Sequence, residues 1–114
     1  MKLATTTGDF SGYASTQMES MQYIREAGFR FMDYNFGSDY SRRDGFFAAD
    51  WKNHLELVKK KADELGAQFI QAHSPMGRPL ADETGEFTED TARCVEACGL
   101  LGIKNIVVHS GYLH

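Results

Sequence analysis

The sequence predicts an α/β fold, a parallel array of βα units, and three observations predict it. Three segments resemble one another, "EAGFRFMDYN", "ELGAQFIQAH" and "LLGIKNIVVH", and each closes a helical stretch, places a glycine and enters an apolar run. The glycines, Gly28, Gly66 and Gly102, lie 38 and 36 residues apart, the length of one strand and one helix with their loops. The stretches before the glycines carry helical periodicity, whereas the runs after them are continuous enough to suit strands covered by helices.

Taken in order, the first strand is read at Lys2 to Thr6. Thr16-x-x-Glu19 forms a capping box that opens the first helix, with Met18, Met21 and Ile24 at helical spacing behind it. The second strand runs from Phe29 to Tyr34. Asp50 is placed to cap the second helix, whose Trp51, Leu55, Val58, Ala62 and Leu65 make an apolar stripe fit to pack on a sheet. Gln68 to Ala72 is the third strand; Thr88 is the expected N-cap of the third helix, with Val95, Cys98 and Leu101 on its inner face. The fourth strand, Asn105 to His109, is read as buried because "NIVVH" is nearly all apolar. Each repeat glycine suits the left-handed residue that ends a helix. Strands joined through helices lie parallel, so the expected order is βαβαβαβ, four strands and three helices.

Composition narrows the classes of function. A chain of 114 residues with 42% hydrophobic and 25% charged content fits one ordinary folded domain. The net charge of -4 provides no footprint for nucleic acid or for an anionic membrane, and neither partner is expected. No apolar run approaches the roughly 20 residues that span a bilayer, and "MKLATTTGDF" lacks the apolar core of a secretory signal. The chain is therefore placed in the cytoplasm. Cys94 and Cys98, four apart on a helix, read as reduced thiols packed like small apolar residues, with a metal or redox pair as the alternative. Lys59-Lys60-Lys61 reads as the solvated side of a helix.

Loop lengths select a functional face. Helix-to-strand turns are short, but "TGDFSGYAS", "NFGSDYSRRDGFFAAD" and "SPMGRPLADETGEFTED" all follow strands, and long loops at the C-terminal ends of parallel strands are where α/β barrels keep their chemistry. Counting seven residues from each repeat glycine reaches Asn35, His73 and His109; counting five reaches Asp33, Gln71 and Val107. Two histidines leaving adjacent strands at one level either converge on a ligand or metal or are structural. Asp33, a carboxylate inside "FRFMDYNF", is costly to bury alone and needs a cation, a histidine, a substrate hydroxyl or loop amides. Phe36, Tyr40, Phe46 and Phe47 either stack on a sugar or pack at the rim. Ser41-Arg42-Arg43-Asp44 is either an anion contact or a solvated loop tip.

These residues resemble the xylose isomerase-like barrels, which include sugar phosphate isomerases and epimerases, inosose-processing enzymes and endonuclease IV. The carriers are "EAGFRFMDY", similar to a second strand ending in an acidic residue, "QAHSP" at the third strand and "IVVHSG" at the fourth. The resemblance implies that residues 1–114 are one partial domain, the N-terminal half of a TIM (β/α)8 barrel, with its first four strands and three helices. It implies a sugar, sugar phosphate or polyol isomerase or epimerase that uses a divalent metal cation (Mn, Mg, Co or Zn) in a longer chain. His73, His109 and Asp33 would line the substrate pocket, while the main metal ligands and acid/base carboxylates are expected beyond residue 114. In the endonuclease-like alternative His73 and His109 would be metal ligands; a non-catalytic half-barrel is the third reading. A homo-oligomer in which two copies complete one barrel is the alternative to a fragment.

Overall fold

In the computed structural model, which describes residues 1–111, four strands form one parallel sheet in the order β1-β2-β3-β4. They are β1 (Ala4–Thr6), β2 (Phe31–Asn35), β3 (Gln68–His73) and β4 (Ile106–Val107). Helices α1 (Gln17–Glu26), α2 (Phe36–Arg42), α3 (Trp51–Leu65) and α4 (Glu86–Leu101) connect them. Gly28, Gly66 and Gly102 stand just past α1, α3 and α4 with φ of +100°, +62° and +73°, a conformation that costs glycine no Cβ clash. The repeat is thus a set of helix stops followed by strands.

Four expectations about the elements are corrected. Helices number four among the described residues, because α2 lies inside what reads as a loop: Asn35 caps it, its side-chain oxygen accepting from the Gly37 amide at 3.0 Å. The start of α4 is Glu86, with Gly85 rather than Thr88 in the cap position. Gly85 turns left-handed (φ +77°), and Asp82 folds back to accept from the Phe87 amide at 3.3 Å and the Thr88 amide at 2.8 Å. The inner face of α4 is Cys94, Ala97 and Cys98, while Val95 is half exposed. The fourth correction concerns β4, which pairs over only two residues and leaves Val107 and Val108 exposed. No element covers its outer edge among the described residues.

The helices pack on one side of the sheet. Met32 and Tyr34 of β2 and Phe69 and Ala72 of β3 meet Met21, Ile24, Leu55, Val58 and the α4 cysteines in one core. Tyr34 sits at its centre, with Phe36, Phe46 and Phe69 edge-on at 4.9, 5.4 and 5.4 Å between ring centroids. Phe36, Phe46 and Phe47 are buried, so three of the four loop aromatics build the core. Both cysteine thiols are free and buried. Burial pushes Cys94 up to about 12 and Cys98 up to about 11, the behaviour of packed apolar residues rather than reactive thiolates. No helix among the described residues is long and apolar enough to cross a membrane.

Candidate functional site

The opposite face of the sheet carries Asp33, Gln71 and His73, and a β-bulge puts the last two there. Met32 pairs with Phe69 but Asp33 pairs with Gln71, so Ile70 is an extra residue in β3. Strict alternation from Phe69 would send Gln71 and His73 to the helix side. With the bulge, Ile70 and Gln71 both line the helix-free face, Ala72 returns to the core, and His73 follows onto the polar face.

Asp33 is thereby held from two directions. His73 Nδ1 lies 2.9 Å from Oδ1 and 2.8 Å from Oδ2, and Gln71 Nε2 donates to Oδ2 at 2.7 Å. Of the partners open to Asp33 in the sequence, the histidine is the one it takes. Because the carboxylate accepts from Nδ1–H, the lone pair of His73 is placed on Nε2, away from Asp33. His73 keeps about a third of its side chain exposed (34%), against 13% for Asp33. The imidazole is therefore the part of the pair that meets solvent.

His109 stands beside it, but not by the route the spacing implies. Asn35 is level with His73, and Asp33 with Gln71, as the counting has it. His73, however, is level with Val107, so His109 lies two residues further along. The two imidazoles nonetheless stack, with centroids 5.8 Å apart and planes 26° from parallel. Ser74 ties the two strand ends together: its amide donates to Val107 O at 2.9 Å and its Oγ accepts from the His109 amide at 3.4 Å.

Two hollows flank His73 at the C-terminal ends of the strands. One, of about 460 Å³, is lined by Thr6, Asn35, Tyr40, Ser41, His73 and His109 among others. The other, of about 420 Å³, contains Thr6, Asp9, Asp33, Gln71 and His73. Thr6 and His73 are common to both, so the imidazole divides one groove into two lobes. Asn35 is fixed where it enters the first lobe: its amide donates to Thr7 Oγ1 at 2.9 Å, Gln17 Nε2 donates to its carbonyl, and its side chain caps α2. Gly8 leaves room for it, since a Cβ there would stand 2.5 Å from Asn35 Nδ2.

The arginines are committed elsewhere. Arg42 pairs with Asp44 at 2.9 Å and approaches Asp39 at 3.5 Å, and Arg43 pairs with Asp90 at 2.7 Å and Glu86 at 3.1 Å. Of the two sequence readings, neither a free anion contact nor a bare loop tip describes them: they tie α2 to its surroundings. As to a metal, no group of three or more His, Cys, Asp or Glu side chains able to hold an ion converges among the described residues.

The three residues singled out in the sequence, Asp33, His73 and His109, are brought together. Gln71 and Thr6 join them without a role assigned in advance; the signal for Gln71 was its common count with Asp33. No family model, curated protein or solved structure matches the chain.

Proposed function

We propose that this chain is part of a sugar or polyol isomerase or epimerase of the xylose isomerase-like type, its sheet forming the first half of a TIM barrel. In this reading His73, His109 and Asp33 bind substrate. The observation that carries it is the Asp33–His73 pair, braced by Gln71, at the C-terminal ends of parallel strands. Asp33 holds the imidazole in one tautomer, Nε2 accepts a hydrogen bond from a ligand hydroxyl, and Thr6, Tyr40 and Ser41 supply further hydroxyl contacts around it. The polar, helix-free face of the sheet is the half-lumen that such a barrel would close over.

A divalent cation belongs to this reading, to polarise a carbonyl or hydroxyl oxygen. His73 Nε2 and the His109 imidazole are the two donors that stand side by side, and the Asp33 brace on Nδ1 is the support a ligating histidine receives. Two imidazoles fall short of the three protein ligands of a zinc site, and they are not the oxygen donors that Mg prefers. The described residues therefore do not fit the ion by themselves, and no step is derived through it. The acid/base carboxylates are likewise assigned to other strands.

Binding tests the reading. Titrating the chain with a panel of ketoses, ketose phosphates, inosose and polyols, while following the His73 and His109 ring protons by NMR, should move both sets for at least one compound. His73→Ala should weaken that binding by about tenfold, the loss of one oriented hydrogen bond, with an unchanged circular dichroism spectrum. Wild-type affinity in His73→Ala and His109→Ala would show that the histidines are structural.

A further inference from the structure

The helix side of the sheet buries a second group of titratable residues, well separated in role from the groove. Asp39 on α2 is 1% exposed. Its Oδ2 accepts from the Tyr34 hydroxyl at 3.0 Å, its Oδ1 lies 3.5 Å from Arg42 Nη2, and His54 Nε2, from the first turn of α3, stops 3.8 Å short of Oδ2. That nitrogen is buried with no hydrogen-bond partner. A buried polar atom left unmatched beside a buried carboxylate is an arrangement one proton would complete.

The surroundings keep the pair at this spacing. Gly45, in the turn between α2 and α3, has φ of +53°, and a Cβ on it would stand 2.8 Å from Asp39 Oδ2 and 3.0 Å from His54 Nε2. Only glycine satisfies both the backbone and the space. Phe46 closes one side, its ring edge-on to His54 at 4.9 Å. The charged and titratable groups facing the pair are Tyr34 from β2, Arg42 from α2, Asp44 from the following turn, Asp50 at the head of α3 and Cys94 from α4. Burial raises the Asp39 carboxyl to about 6 and lowers the His54 imidazole from its ordinary value. Burial thus makes the carboxyl hold its proton more tightly and the imidazole hold its own less tightly.

We propose that Asp39 and His54 form a proton-operated latch: uptake of one proton closes His54 Nε2 onto Asp39 Oδ2 and draws the head of α3 against α2. Gly37, Tyr40 and Ser41 of the same helix wall the larger lobe of the groove. Closing the latch thus moves that wall, and the shape of the groove follows pH. The inference rests on the Asp39 cluster alone and holds whatever the groove binds.

The test is an NMR titration of the 114-residue chain from pH 8 to pH 5, reading the Asp39 carboxyl carbon, the His54 ring and the backbone amides of Gly37, Tyr40 and Ser41. The carboxyl, the ring and the three amides should move along one curve with a common midpoint. In Asp39→Asn the α2 amides should lose at least four fifths of their movement. Flat α2 amides in the wild type, or midpoints for Asp39 and His54 more than one unit apart, would overturn the latch without any variant. Undiminished amide movement in a folded Asp39→Asn would overturn it as well.

Discussion

Asp39 and Asp33 are two carboxylates on opposite faces of one sheet, and their partners give them opposite characters. Asp33 meets an imidazole and a side-chain amide at the mouth of a groove. Asp39 is enclosed, and burial raises its carboxyl from 3.8 to about 6. A raised carboxyl binds its proton more tightly in the folded chain than in the unfolded one. Its stabilising contribution is therefore complete below 3.8 and is lost as pH rises through about 6. The shift corresponds to at most about 3 kcal/mol. Asp39→Asn removes this dependence, so the stability of the wild type relative to the variant should fall by up to about that amount from acid to neutral pH. Urea unfolding of both proteins at several pH values measures it. A difference that stays constant, or that grows in the wild type's favour with pH, contradicts the burial of an ionised Asp39.

At the scale of elements, α2 is the piece that joins the core to the groove. Arg43, which caps its C-terminus, adopts φ of +54°, uncommon for a residue with a side chain, and from there reaches Asp90 and Glu86 on α4. Tyr40 and Phe47 lie under its guanidinium at 5.2 and 5.6 Å. Asp90 is buried whereas Arg43 is 45% exposed, so solvent screens the pair, and Arg93 lies a further 4.0 Å away from Asp90. Arg43→Ala should lower stability by about 1–2 kcal/mol, measured by urea unfolding near neutral pH. An unchanged midpoint would mean that α2 is held by its aromatics alone.

The same elements show what the sequence makes legible. Helices α1 and α3 announce themselves through a Thr16 cap, a five-residue apolar stripe and glycine stops, because those signals are local. Helix α2 escapes: seven residues are too few to show a period, and Phe36 and Tyr40 among glycines and arginines read as loop. Its one local signal was Asn35 followed by Asp39, a cap with an acid in the first turn. The start of α4 escapes because its capping oxygens come from Asp82, three residues before the cap position. Apolar content alone misplaces Val107 and Val108, since burial depends on a neighbour that composition does not name. The site was legible in Asp33, His73 and His109 but not in how they face, which the extra residue at Ile70 decides.

Over the whole molecule, the sheet divides two chemistries. One face is closed by helices around Tyr34, with a proton-sensitive cluster inside it; the other is polar and carries two lobes on either side of His73. The fold delivers His73 to that groove as an oriented hydrogen-bond acceptor. Long-range proton–nitrogen NMR correlation on the His73 ring tests it most directly, in the wild type and in Asp33→Asn. One tautomer is expected in the wild type, with the proton on Nδ1 and Nε2 bare, and a mixture in Asp33→Asn. A proton resident on Nε2 in the wild type, or a tautomer indifferent to Asp33, would contradict it.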